Sequence, residues 1–274
     1  MKISTMSYSI MKKGYTPKDV CRISREFNLE GIDWVTTYGV SANDLRKMMD
    51  VFGLKTVCYT FYVDLNFPEK KERQPGLEKL RKELETAVIL GADKVMLPIG
   101  SKEGFTREES RKNVIQGLKD AVKIGKEYKV TITIEDFPNK NSPFIVSADI
   151  KEAIKEAPGL RVTFDNGNTL TGGEDPVEGF LNLKDFVIHA HFKDWTINSE
   201  GKGLLGADGR FYQGALVGEG IVDHKKVIQA MNSAGYNGYI NLEYEGTAYS
   251  PEEAMAKGIR YLDSLMEGQN KRCP

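Results

Sequence analysis

Four side chains able to bind divalent cations close four successive apolar runs. Glu135 ends Thr-Ile-Thr-Ile-Glu, Asp165 ends Arg-Val-Thr-Phe-Asp, His191 ends Ile-His-Ala-His, and Glu243 ends Ile-Asn-Leu-Glu. Successive members are 30, 26 and 52 residues apart, so only the fold can bring them together. Three carboxylates and one imidazole make a mixed oxygen and nitrogen donor set, suited to Mn²⁺, Mg²⁺, Co²⁺ or Zn²⁺. No thiolate stands beside them, which disfavours a structural zinc site. One acid after a strand is ordinarily a helix cap or a solvated loop residue. Four ligand types at consecutive strand ends, one of them a histidine in a chain with 3, point instead to a shared site. His189 and His191 lie two apart on a strand and face the same way. His191, nearer the end, is the better ligand, and His189 packs behind it or supports it. His224 opens a helix and reads as structural or capping.

The elements that must position these residues alternate along the chain. Strands are expected over residues 3–8, 31–35, 54–62, 94–98, 130–135, 161–165, 186–191 and 239–243. Helices are expected over 17–27, 41–52, 77–90, 106–128, 147–157, 176–181, 224–234 and 252–266. Thr16 before Pro17 is an N-terminal helix signal, and Thr106-Arg-Glu-Glu109 has the form of a capping box. Strict alternation predicts a parallel sheet with crossover helices, here a single (β/α)8 barrel over residues 1–267 followed by a polar tail, 268–274. A doubly wound open sheet of six or seven strands is the alternative. In a barrel the four strand ends line one arc of the C-terminal rim, where such folds place their sites. The long glycine-rich stretch 193–223 would lie on the same rim.

Composition narrows the function classes. Lys and Arg number 38 against 39 Asp and Glu, a net charge of −1, which does not suit a nucleic-acid surface. With 40% apolar residues and little net charge, the chain is expected to fold around a sizeable core. No apolar run approaches the roughly 20 residues that span a bilayer, and no signal-peptide pattern opens the chain. Cys21, Cys58 and Cys273 are far apart and odd in number, which fits a reducing cytoplasm. The glycine-rich stretches lack the Lys-Ser/Thr ending of a phosphate loop.

Five segments together resemble the sugar phosphate isomerase/epimerase family, the xylose isomerase-like TIM barrels. They are Ile134-Glu135, Phe164-Asp165-Asn166-Gly167-Asn168, Val187-Ile188-His189-Ala190-His191-Phe192-Lys193-Asp194-Trp195, Val217-Gly218-Glu219-Gly220-Ile221-Val222-Asp223, and Gly235-Tyr236-Asn237-Gly238-Tyr239-Ile240-Asn241-Leu242-Glu243. Each is weak alone, and their order and spacing make them specific. The resemblance covers essentially the whole chain. It implies a divalent metal, Mn²⁺ first among the four, held by Glu135, Asp165, His191 and Glu243. It also implies a small carbohydrate substrate and an acid/base pair, Glu135 and Glu243, acting from opposite sides of the sugar next to its carbonyl. Family members are often oligomers, and no interface signal in this chain decides the matter.

Departures from the family pattern limit the substrate. Free-ketose 3-epimerases of the family carry Asp-x-x-His after the sixth strand, where this chain has Asn168. They carry an Arg after the metal-binding His, where this chain has Lys193-Asp194-Trp195. Lys193 is therefore the candidate for a polar or anionic substrate group, with pairing to Glu219 or Asp194 as the alternative. Asn168, His189 and Glu219 are further candidates for substrate contact. Trp34, Tyr59 and Phe61 are candidates for an apolar wall against the sugar, or for core packing. Rival functions are a dehydratase or lyase on an oxo-sugar or inosose, a sugar-binding protein, and a DNA-repair endonuclease of the same superfamily. The last would need more histidines than 3.

Overall fold

The computed structural model describes residues 1–137 and 139–270, with the side chains of 267–270 left aside. Seven strands lead into the barrel in order: β1 (Lys2–Met6), β2 (Gly31–Val35), β3 (Lys55–Thr60), β4 (Lys94–Met96), β5 (Thr131–Ile134), β6 (Arg161–Asp165) and β7 (Val187–Phe192). Three short strands follow, β8 (Asp194–Ile197), β9 (Leu204–Leu205) and β10 (Phe211–Ala215), before β11 (Tyr239–Leu242) completes it. The barrel closes in the order β1-β11-β7-β6-β5-β4-β3-β2, and every neighbouring pair is parallel. This is the expected (β/α)8 barrel. Around it run α1 (Ser7–Met11), α2 (Pro17–Glu26), α3 (Ala42–Phe52), α4 (Lys70–Leu90), α5 (Arg107–Tyr128), α6 (Ser147–Glu156), α7 (Asn166–Thr171), α8 (Pro176–Leu183), α9 (His224–Ser233) and α10 (Pro251–Asn270).

Local signals place the outer helices. Thr16 and Asp19 form a reciprocal capping box ahead of α2, and Thr106 and Glu109 do the same for α5. Leu80, Leu84 and Ala87 on α4 and Leu118 and Ala121 on α5 are fully buried, so each helix turns one apolar stripe toward the strands. Cys21 and Cys58 are buried and unpaired, while Cys273 lies outside the described residues. Among the described residues no helix is long and apolar enough to cross a membrane. The segment expected as a polar tail begins inside α10, and residues 271–274 lie outside the described ones.

Three departures from the expected elements have physical causes. The first strand stops at Met6 because Ser7 and Ser9 turn the chain into α1. The Ser7 hydroxyl accepts from Val35 N at 2.8 Å and the Ser9 hydroxyl from Tyr244 N at 3.0 Å, so side chains take over where the ladder ends. Helix α4 begins seven residues early, with Pro75 inside it. Arg73 anchors that start by donating to the carbonyls of Phe67 and Pro68 at 2.6 and 2.9 Å, and a Cβ on Gly76 would lie 2.3 Å from the Asp64 carbonyl oxygen. The stretch 193–223 is not irregular throughout. Strands β8 and β9 pair antiparallel with β10 in a small sheet above the rim.

Candidate metal centre

The barrel axis is polar where the site begins. Ser4, Asp33, Thr133, Thr163, His189 and Asn241 are all fully buried. Thr133 and Thr163 hydroxyls lie 2.8 Å apart, and Thr133 also donates to the Val95 carbonyl at 2.9 Å. Asp33 sits between two imidazoles. Its Oδ2 takes a short hydrogen bond from His189 Nε2 and lies 3.2 Å from His191 Nε2. Burial alone would raise the Asp33 carboxyl, but the two imidazoles outweigh it and hold it down at about 2.

Above this layer the four strand-end residues converge. His191 Nδ1 lies 3.2 Å from Glu135 Oε2 and 3.8 Å from Glu243 Oε2. One donor atom each from Glu135, Asp165 and His191 falls within 4.8 Å of the others, and Asp33, His189 and His191 meet the same test one layer down. Asp165 divides its carboxylate between two tasks. Oδ1 accepts from Gly167 N and Asn168 N at 2.9 and 2.8 Å, which caps α7, and Oδ2 faces the cluster. Lys193 projects its ammonium into the same space, 3.2 Å from Asp165 Oδ2, 3.2 Å from Glu243 Oε1 and 3.0 Å from Glu245 Oε1.

Charge at this point is out of balance. Asp33, Glu135, Asp165, Glu243 and Glu245 outnumber Lys193 and His191. Burial, opposed by Lys193, pushes Asp165 up to about 6 and Glu243 up to about 7. Burial works against the charged forms of Lys193 and His191, yet the surrounding carboxylates raise both well above their usual ranges. Asp136, beside Glu135, is pushed well above the carboxylate range by burial and by Asp165. Geometry agrees. The Thr169 hydroxyl has one hydrogen but lies 2.8 Å from Asp136 Oδ2 and 2.7 Å from the Asp165 carbonyl, so a proton on Asp136 must supply the second bond. A buried set of hard oxygen donors with one imidazole and surplus negative charge fits a divalent cation.

The structure sorts the other expected residues. Asn168 lies beside the cluster, with Nδ2 donating to the Asp136 carbonyl at 2.9 Å and Oδ1 unpartnered. His189 is fully buried beneath His191 and faces Asp33, not the rim. Lys193 pairs with neither Glu219 nor Asp194. Glu219 is on the surface, accepting from Tyr249 Oη at 2.9 Å and 3.3 Å from Lys257 Nζ. Trp34 and Tyr59 point out of the barrel. Trp34 Nε1 meets Met49 Sδ on α3, and Tyr59 Oη donates to Glu83 on α4 at 2.7 Å. Phe61 lies against Tyr59 with the rings tilted by 41° and their centres 5.3 Å apart. These three rings pack under the helices. His224 does not cap its helix, a task Asp223 performs, but its Nε2 meets the Lys193 carbonyl at 3.2 Å.

Sequence reasoning missed Asp33, Asp136 and Glu245, and it underrated Asp194. Asp194 Oδ2 accepts from Gly218 N and Gly220 N, and Oδ1 from Val222 N and Trp195 N, all within 3.0 Å. A Cβ on Gly220 would lie 2.2 Å from Asp194 Oδ1, which explains the glycine. The segment 217–223 is therefore a strap tied to the start of β8.

Comparison with known proteins agrees with the fold. A family model described as xylose isomerase-like TIM barrel matches residues 21–265. The chain belongs to this family. An inosose dehydratase of Lacticaseibacillus casei is 24% identical to it, the match covering 96% of this chain and 98% of the relative. Among solved structures, the IolI protein with a bound zinc atom superposes with a TM-score of 0.79 at 15% identity, over 97% of this chain and 98% of that one. The 3-keto-D-glucoside 4-epimerase YcjR of E. coli gives 0.76 at 15% identity, over 96% and 99%.

Proposed function

We propose that this chain is a divalent-metal-dependent carbohydrate enzyme that removes a proton from the carbon next to a carbonyl in a keto-sugar or oxo-cyclitol. Glu135, Asp165, His191 and Glu243 would hold the metal, with Mn²⁺ the first candidate. The carrying observation is the convergence of these four buried side chains around surplus negative charge, with His191 Nδ1 3.2 Å from Glu135 and 3.8 Å from Glu243. When bound, a divalent cation polarises a substrate carbonyl and acidifies the adjacent C–H.

The chain's own residues supply the proton traffic. Glu135 and Glu243 follow strands separated around the barrel by β6 and β7, so they flank whatever lies between them. One carboxylate takes the proton and the other returns it from the opposite side, which inverts the carbon and makes the enzyme an epimerase or isomerase. Lys193 neutralises charge between Asp165 and Glu243 and offers a donor to a substrate oxygen.

A second reading shares the first step. After proton removal a hydroxyl leaves from the next carbon, and the enzyme is a dehydratase. The full-length likeness to an inosose dehydratase favours it. One experiment separates the two. Metal-reconstituted protein is incubated in D₂O with ketoses, ketose phosphates, inososes and 3-oxo-glycosides and followed by NMR. Deuterium beside the carbonyl with inversion is the epimerase result, and an unsaturated product is the dehydratase result. No exchange with any of them, despite tight metal binding, overturns both.

A further inference from the structure

Lys193 is held along its length, and only its tip is left to turn. Its backbone nitrogen donates to Asn166 Oδ1 at 3.1 Å, and its carbonyl lies 3.2 Å from His224 Nε2. Its stem lies across Gly167, where a Cβ would fall 2.3 Å from Lys193 Cγ. The ammonium meets three carboxylates on unequal terms. It donates to Glu243 Oε1 at 3.2 Å and to Glu245 Oε1 at 3.0 Å, while its contact with Asp165 Oδ2, also 3.2 Å, is an ion pair without hydrogen-bond alignment. Glu243 can serve two cations at once, because Oε2 faces His191 Nδ1 at 3.8 Å and Oε1 takes the lysine. Asp165 cannot, since its Oδ1 is engaged in the cap of α7. A divalent ion about 2.1 Å from Oδ2 would stand within about 5 Å of this ammonium, at a point with little water to screen the repulsion. Glu245 differs from the other two acids. It is no candidate ligand, and its side chain is 34% exposed. Its backbone is wedged against β10, where a Cβ on Gly214 would fall 2.9 Å from the Glu245 carbonyl carbon.

We infer that Lys193 is the centre's own counter-ion and that Glu245 is the positioning residue that draws it aside. As a divalent ion takes Asp165 Oδ2, the ammonium turns about its last bonds, keeps Glu243 Oε1 and settles on Glu245. Glu245 therefore governs metal affinity through Lys193, without touching the metal. The inference rests on the metal-centre reading above and adds how the chain exchanges its own cation for the bound one.

The test is a double-mutant cycle on Mn²⁺ affinity, read by titration calorimetry on the whole chain at one pH. Lys193→Met removes the competing cation and is expected to bind Mn²⁺ about tenfold more tightly than the parent; weaker binding overturns the inference. Glu245→Gln strands the ammonium on Asp165 and is expected to weaken binding about tenfold, the loss of one charge-assisted hydrogen bond. Made together with Lys193→Met, Glu245→Gln is expected to change affinity by less than about twofold, because the residue it acts through is gone. Direct attraction between Glu245 and the metal predicts the opposite, an effect at least as large once the lysine charge is removed, and that result overturns the inference. A crystal structure of the Mn²⁺-loaded parent is the second measurement and depends on no variant folding. Lys193 Nζ is expected within hydrogen-bond reach of Glu245 and beyond the ion-pair limit of about 4 Å from Asp165 Oδ2. An ammonium still seated on Asp165 overturns the inference while the metal reading stands. A parent that binds no Mn²⁺ overturns both.

Discussion

Replacing Asp165 by Asn separates the two tasks of that side chain. The cap survives, because an Asn Oδ1 accepts from Gly167 N and Asn168 N as the Asp Oδ1 does at 2.9 and 2.8 Å. The second oxygen and the charge are lost. Burial raises the Asp165 carboxyl from 3.8 to about 6, so its ionised form costs the metal-free fold about 3 kcal/mol at pH well above 6. The sign follows from the direction. A carboxyl raised on folding favours the fold below its unfolded value near 4, and that contribution disappears as pH rises through about 6. In chelator at pH 8, Asp165→Asn is therefore expected to melt on the order of 5–10 °C higher than the parent. At pH 4 the two should melt together.

Added metal should reverse the order. At 1,000 times its dissociation constant a ligand stabilises by about 4.1 kcal/mol, more than the charge cost, and the parent gains it while Asp165→Asn does not. Asp165→Ala loses the cap as well and should fall roughly 1 kcal/mol below Asp165→Asn. The assay is calorimetric melting at pH 4 and pH 8, with chelator and with Mn²⁺. An Asp165→Asn protein no more stable than the parent at pH 8 in chelator would refute the charge argument. A full metal-induced rise in that variant would refute the ligand assignment.

Glu135→Gln and Glu243→Gln are each expected to abolish turnover in the D₂O assay while leaving the circular dichroism unchanged, and activity retained in both would sink the two-carboxylate mechanism. Metal binding at pH 7 should release between about one and two protons, one from His191, held protonated among carboxylates, and part of one from Glu243, held near 7; calorimetry in buffers of differing ionisation enthalpy reads it, and a buffer-independent heat would contradict it. Trp34→Phe and Tyr59→Phe should each cost about 1 kcal/mol in urea unfolding, from the lost contacts to Met49 and Glu83, and leave metal affinity untouched. A changed affinity would place those rings in the site. Gly220→Ala should destabilise by several kcal/mol or prevent folding, since its methyl would meet the Asp194 carboxylate at 2.2 Å; a neutral result would show that the strap is not tied as described.

The barrel was legible because eight apolar runs alternate with helical patterns, and the strand-end candidate ligands because each closes such a run. Parity explains the main error at the site. On β2 successive side chains face opposite ways, so choosing Trp34 for the pocket wall put Asp33 on the helix side. The structure has it the other way round, with Asp33 facing the imidazoles. A charged residue inside Gly-Ile-Asp-Trp-Val was the available signal, since a buried acid needs partners. The register sets Asp33 beside Cys58, which turns Tyr59 outward by the same rule. Glu245 repeats the lesson of His189 and His191, as Glu-x-Glu brings two acids to one side. Helix α7 was not legible, because Asn-Gly-Asn has poor helix propensity and the helix depends on a cap from the candidate ligand Asp165.

The polar layer beneath the cluster decides how His191 can act. Held near 2, Asp33 is ionised at any working pH and attracts hydrogen to the Nε2 atoms of both His189 and His191. That fixes the orientation of the His191 ring and aims Nδ1 at Glu135 and Glu243. A neutral imidazole would then present a lone pair to two carboxylates, which is repulsive. Only a proton or a metal cation on Nδ1 relieves it. The carboxylates raise the affinity of His191 for the proton for the same reason that they would raise its affinity for a divalent ion. An apolar barrel floor would leave the ring free to turn and the repulsion avoidable. Asp33 removes that escape, so the demand for positive charge at this point is built into the second strand as firmly as into the four residues at the rim.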